Sequence, residues 1–170
     1  GHVRVASTPG GGTTVFLYLP PASAEAEAEP PSVSTLPPAV GNAQRILLVE
    51  EERSVRTVVE RLLRQAGYDV RAVADGAAAL ALCDPDTLAT LDLLISDVVM
   101  PHLGGVDLVR AVRARRDDLP VLFVSGYRET QELDELLASS HTLLLDKPFT
   151  SASLLQAVQE LLSRSTATTG

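Results

Sequence analysis

The 170-residue sequence has no tryptophan, one cysteine, one methionine and only 4% aromatic residues. A lone Cys83 excludes an internal disulfide, and one cysteine with His2, His102 and His141 far apart excludes a Cys/His metal cluster. Such cysteine usage suits a reducing cytoplasm, which is the expected location. No uninterrupted apolar run approaches the ~18 residues that span a bilayer, and the start lacks the basic-then-apolar order of a signal peptide. The sequence therefore predicts no membrane segment, although a longer parent chain could be anchored through upstream regions. Positive charge is scarce too, with 14 basic against 22 acidic residues and a formal net charge of −8. That field argues against a general nucleic-acid or anionic-membrane binder and leaves divalent cations welcome. Lysine is scarcest of all: Lys147 is the only one among the 14 basic residues. The chain opens at Gly1 with its only methionine at Met100, which reads as a piece of a longer protein.

What is present, 45% hydrophobic residues and a mean hydropathy of +0.16, describes a folding chain. Six of its 11 prolines stand at positions 20, 21, 30, 31, 37 and 38, among small residues and Glu25, Glu27 and Glu29. This composition predicts a disordered linker over 21–43, able to reach roughly 70 Å if held in polyproline II. Before it, His2 to Ser7 and Thr13 to Leu19 are β-rich runs around a Thr-Pro-Gly-Gly-Gly turn, predicting a β-hairpin. An isolated hairpin is marginal in water, so it reads as the remnant of a larger sheet.

From about residue 44 to 165 short apolar runs alternate with helical periodicity. The expected strands are Ile46 to Val49, Tyr68 to Val73, Leu91 to Ile95, Val121 to Val124 and Thr142 to Leu145. Between the first two, Val55, Val58, Val59, Leu62, Leu63 and Ala66 recur at helical spacing and stop at Gly67, a suitable cap. Leu154, Leu155, Val158, Leu161 and Leu162 do the same near the end, entered through Thr150 or Ser151. Five strands and five helices in alternation predict an α/β domain, a doubly wound parallel sheet covered on both faces, followed by a short disordered tail at 166–170. Ligands of such folds sit at the carboxyl ends of the strands.

Those ends carry Glu50, Glu51 and Glu52 after the first strand, Ser96 and Asp97 after the third, Ser125 after the fourth and Lys147 after the fifth. Carboxylates brought together from two strands repel by about 4 kcal/mol at 4 Å and an effective dielectric of 20. A hard divalent cation relieves that repulsion, and carboxylate oxygens with water suit Mg²⁺. Lys147 adds a compact positive charge and Ser125 a hydroxyl. Together they can neutralise the oxygens of a phosphoryl group moving onto Asp97 as nucleophile.

At these residues the sequence resembles a response-regulator receiver domain, a flavodoxin-like fold. The resemblance rests on Leu47 to Glu52, Ile95 to Pro101, Val124 to Tyr127 and Lys147 to Phe149, in the same order over about 120 residues. It implies that Asp97 is phosphorylated by a histidine kinase, with Ser125 and Lys147 binding the phosphoryl oxygens. It further implies that Mg²⁺ is held by Glu50, Glu51, Asp97 and the backbone carbonyl of Val99. Two positions depart from the family pattern. Glu50 and Glu51 are both glutamates where the family has two aspartates, or glutamate then aspartate, and the family's aromatic switch position is Leu144. Read-out through a turning ring is therefore not expected.

Residues 1–20 resemble the last strands of a histidine-kinase ATPase domain, through Gly10 to Thr14 and the Leu-Pro finish at Pro20. An ATPase tail, a linker and a receiver in that order resemble the carboxyl end of a hybrid sensor histidine kinase. The resemblance implies a histidine-kinase phosphodonor in the same parent chain and a histidine phosphotransfer protein as a further partner. The nucleotide-binding parts would all lie upstream, so residues 1–170 are expected neither to form a complete enzyme nor to bind ATP.

Simpler readings exist for each feature. Glu52 suits a helix start, where its charge meets the dipole; the glycines at 10–12 suit a turn, since no helix follows them as in a phosphate loop; Cys83 suits packing on the second helix. The competing function is a degenerate receiver that keeps the fold as a phosphorylation-independent interaction module. An independent hydrolase or nucleotide-binding enzyme lacks both the nucleophile elbow and the Gly-rich loop after the first strand.

Overall fold

In a computed structural model, which describes residues 2–8, 10, 12–18, 41–126 and 131–166, the chain divides into two units, residues 1–35 and 36–170. The first holds an antiparallel hairpin of β1 (His2–Thr8) and β2 (Gly12–Tyr18), in register from His2 opposite Tyr18 to Thr8 opposite Gly12. Val3 faces Leu17 and Val5 faces Val15, an apolar row of the kind that β-branched cross-strand pairs stabilise. Every residue of both strands is exposed. The linker expected over 21–43 lies mostly outside the described residues.

The second unit is a five-stranded, all-parallel sheet in the order β4-β3-β5-β6-β7. Its strands are β3 (Arg45–Val49), β4 (Asp69–Val73), β5 (Leu93–Asp97), β6 (Val121–Ser125) and β7 (Thr142–Asp146). The helices are α1 (Arg53–Gln65), α2 (Gly76–Leu82), α3 (Pro85–Thr90), α4 (Gly105–Arg113), α5 (Gln131–Leu137) and α6 (Ser151–Thr166). This is the expected receiver fold.

Strict period-2 alternation divides the strands between two cores. Leu47, Val49, Leu94, Val121 and Phe123 face α2 to α5, where Leu108, Val112 and Leu133 meet them. Ile46, Leu48, Val70, Leu93, Ile95, Leu122 and Val124 face α1 and α6, where Val59, Leu63, Leu154 and Val158 close the layer. Burial on both faces explains why the strands read as continuous apolar runs rather than alternating ones.

Local signals place the elements. Gly67, at φ 95°, follows the end of α1 in the left-handed conformation expected of its cap. Thr150 Oγ1 accepts from the Ser153 N–H (3.1 Å) while Ser153 Oγ accepts from the Thr150 N–H (3.0 Å), a reciprocal cap at the start of α6. The second expected helix is divided in two. Asp84 caps α3 through the N–H groups of Asp86 and Thr87, and Pro85 occupies its first turn, so α2 stops at Leu82. Cys83 lies at that break, fully buried, its thiol donating to the Ala79 carbonyl at 3.2 Å. Burial pushes the Cys83 thiol pKa up, which makes it a packing group.

Candidate functional site

Parallel strands bring their carboxyl ends to one rim, and three of them deliver the charged groups there. Glu50 continues the ladder past Val49, its N–H donating to the Val73 carbonyl at 3.2 Å, and is only 4% exposed. Asp97 ends β5, and Lys147 leaves β7 with its N–H on the carbonyl of Ser125 (2.8 Å), which ends β6. The Lys147 ammonium then lies 2.7 Å from Glu50 Oε2 and 2.7 Å from Asp97 Oδ2. Residues 50, 97 and 147, far apart in sequence, thus meet at one nitrogen.

Each carboxylate has a second, backbone partner. Glu50 Oε1 accepts from the Glu52 N–H at 3.0 Å, and Asp97 Oδ1 accepts from the Val99 N–H at 3.0 Å. Such charge-assisted bonds fix the orientation of both groups. Burial alone would lower the Lys147 pKa, but hydrogen bonds and charge from Asp97 and Glu50 outweigh it and hold it above the ordinary lysine range.

The backbone under Asp97 is fitted closely. Ser96 Oγ donates to the Asp97 carbonyl (2.9 Å), and Gly105, the first residue of α4, packs on the same oxygen. A Cβ at position 105 would stand 2.0 Å from the Asp97 carbonyl oxygen, so only glycine lets α4 start here.

Of the residues singled out from the sequence, Glu50, Asp97, Ser125 and Lys147 all stand at the carboxyl ends of their strands, with Ser125 buried at 2% exposure. Val99 lies just beyond Asp97, 68% exposed. Glu51 and Glu52 are exposed, and Glu52 is the residue preceding α1, as its reading as a helix-start charge requires. Tyr127, from the Val124 to Tyr127 motif, falls outside the described residues. Leu144, at the family's aromatic position, packs partly buried against the Phe123 side of the core. Two contributors escaped sequence reasoning. Arg56 in α1 donates from one nitrogen to the carbonyls of Glu50 (2.6 Å) and Glu51 (2.9 Å), and Gly105 supports Asp97 as described. The Gly104-Gly105 pair is a visible signal; nothing in the sequence sets Arg56 apart from the other arginines.

Among the described residues no three His, Cys, Asp or Glu side chains are grouped closely enough to hold a metal by themselves. The rim nevertheless fits Mg²⁺. Its donors are all oxygens, Glu50 and Asp97 already converge on one cation, and Mg²⁺ commonly takes one or two carboxylates and keeps several waters. With Glu51 of the same turn counted, the carboxylates against Lys147 sum to a formal −2, which one divalent cation would neutralise. A recess of about 230 Å³, lined by Arg45, Asp69, Arg71, Leu82 and Thr87, opens at the amino ends of β3 and β4, away from this rim.

With fold and rim in hand, comparison with known proteins gives the class: the response regulator receiver domain family matches residues 46–159, and the chain belongs to it. Among its relatives, the sensor kinase CckA of Brucella abortus is 34% identical over 96% of this chain and 18% of its own length. The receiver domain of a hybrid histidine kinase CckA is 39% identical, with a TM-score of 0.58 over 69% of this chain and 98% of that one. The receiver of sensor histidine kinase PA1611 from Pseudomonas aeruginosa, solved with a magnesium ion coordinated in its active-site cleft, is 29% identical (TM-score 0.60, covering 71% and 98%). The chain spans 52% of the length of a matching response regulator. It is a receiver domain of two-component phosphorelays. No described helix is long and apolar enough to cross a membrane.

Proposed function

We propose that Asp97 accepts a phosphoryl group from a histidine kinase and that the receiver is the carboxyl-terminal module of a hybrid kinase. The observation that carries the first part is the Lys147 ammonium held at 2.7 Å by both Asp97 and Glu50. One Asp97 oxygen attacks phosphorus as the phosphorus–nitrogen bond to the donor histidine breaks, leaving an acyl phosphate and a neutral imidazole. Lys147 exchanges its carboxylate contact for a phosphoryl oxygen, and Ser125, from the neighbouring strand end, offers a hydroxyl to another. Bound Mg²⁺, held by Glu50, Glu51, Asp97 and the Val99 carbonyl, would supply charge neutralisation of the phosphoryl oxygens. Glu51, exposed on the same turn as Glu50, would complete the set when metal is bound.

Support for the hybrid architecture is the CckA resemblance over 96% of the chain, hairpin and linker positions included. In this reading β1 and β2 are the last strands of an ATPase domain, 21–43 is a linker and 44–165 the receiver. The phosphodonor belongs to the same parent chain, a histidine phosphotransfer protein is the onward partner, and the setting is cytoplasmic.

Incubation with acetyl phosphate and Mg²⁺, read by intact mass, should give one labile phosphoryl adduct that is missing in Asp97→Asn. An undiminished adduct in Asp97→Asn rejects the assignment of Asp97. Wild-type protein that forms no adduct, with or without Mg²⁺, indicates the phosphorylation-independent module instead.

A further inference from the structure

We infer that Arg56 is a positioning residue that sets the acidic turn for metal binding, an inference that rests on the phosphoacceptor reading above. Arg56 lies in the first turn of α1, and its Nη1 donates to two successive carbonyls, Glu50 O at 2.6 Å and Glu51 O at 2.9 Å. The consequence follows from peptide planarity. In a trans peptide the carbonyl and the N–H point in opposite directions. When Arg56 captures the Glu51 carbonyl, the N–H of the same peptide unit, that of Glu52, is turned the other way. There it meets Glu50 Oε1 at 3.0 Å.

A continuous path results. Arg56 fixes the 51–52 peptide, that peptide fixes one oxygen of Glu50, and the other oxygen of Glu50 is held with Asp97 by Lys147. Charge acts in the same sense, because three consecutive glutamates repel and the guanidinium sits on the backbone side of their turn. Capture of both carbonyls also removes them from competition for the cation, leaving side-chain oxygens as the donors on this turn. Arginine suits the task because one planar, always charged nitrogen offers two N–H groups at fixed directions. Arg64, on the same helix, provides the comparison: it donates to the Val70 carbonyl at 2.7 Å and pairs with Glu60, away from the rim.

The test titrates Mg²⁺ into the full chain and its variants, reading binding from backbone amide shifts at Glu51, Glu52 and Asp97, and chemistry from the acetyl-phosphate adduct at saturating Mg²⁺. Arg56→Ala should weaken Mg²⁺ binding about tenfold, the usual cost of losing an outer partner of a metal ligand. Its adduct at saturating metal should stay within about twofold of wild type, the pattern of lost affinity rather than lost chemistry. Arg56→Lys should recover part of the affinity, and Arg64→Ala should bind Mg²⁺ as wild type does. Wild-type affinity in Arg56→Ala, or equal weakening in Arg64→Ala, overturns the proposal. If Arg56→Ala does not fold, Arg56→Lys and Arg56→Gln take its place, and wild-type affinity in both overturns it equally. A wild-type chain that neither binds Mg²⁺ nor forms the adduct overturns the phosphoacceptor reading and this proposal with it; a difference confined to the variants bears on Arg56 alone.

Discussion

The two sheets of this chain are built from similar residues and have opposite fates. The hairpin strands are seven residues long, carry Val3, Val5, Val15 and Leu17 on one row, and expose all of them by more than half. The receiver strands are five residues long, yet Ile46, Leu93, Leu94, Ile95 and Phe123 are exposed by 1% or less. Length and apolar content make a strand; burial needs helices on the faces. In the receiver α1 and α6 cover one side and α2 to α5 the other, which also fixes the strand ends where Glu50, Asp97, Ser125 and Lys147 stand. The described hairpin residues have pairing without a core.

The largest expected effect tests this contrast directly. Leu63→Ala removes a fully buried side chain between α1 and the sheet and should destabilise the receiver by about 2–5 kcal/mol. Leu17→Ala, in a strand that is exposed throughout, should leave the receiver's stability unchanged within about 0.5 kcal/mol. Urea unfolding followed by circular dichroism measures both, and equal losses would break the comparison.

Lys147→Ala comes next. The domain should still fold, because its two cores do not depend on Lys147, but amide shifts on adding beryllofluoride and Mg²⁺ should nearly vanish. The pH dependence follows from the raised pKa of Lys147. The native state favours the charged ammonium, so its contribution is complete at neutral pH, below the unfolded lysine value, and is lost as pH rises through the raised native value. An alkaline melting-temperature series should therefore fall more steeply in wild type than in Lys147→Ala. Superimposable alkaline slopes would place the ammonium outside the carboxylate pair.

The smallest effect is expected from deleting residues 1–40. Among the described residues none before Gly41 belongs to either core, and the receiver's stability should change by less than about 0.5 kcal/mol. A large loss would show that the amino-terminal unit supports the receiver after all.

Much of this was legible in the residues, for reasons that also mark where reading stops. Strands were legible because doubly covered parallel strands must be apolar throughout, and α1 because its apolar spacing ends at Gly67. The division of α2 from α3 was written in Asp84-Pro85, a cap followed by a first-turn proline, within a run whose overall alanine and leucine content suggests one helix. Glu50, Asp97 and Lys147 could be placed at one rim because strand ends in a parallel sheet converge. Gly105 left only the Gly104-Gly105 pair, which does not say what it packs against. Arg56 could not be placed, since it acts on main-chain carbonyls and a carbonyl leaves no mark in the sequence. The same holds for Arg115 on the Cys83 carbonyl (2.8 Å) and Arg116 on that of Leu91 (2.6 Å). Arginine's fork suits these backbone carbonyls, while the one lysine stands between the carboxylates of Glu50 and Asp97.

The central claim, that Asp97 is the phosphoacceptor, is tested most directly by locating the phosphoryl group. After reaction with acetyl phosphate and Mg²⁺, borohydride reduces an aspartyl phosphate to homoserine, which peptide sequencing by tandem mass spectrometry assigns to one residue. The account predicts homoserine at position 97 alone, with none after reaction without Mg²⁺. Homoserine at any other aspartate, with position 97 intact, would contradict it.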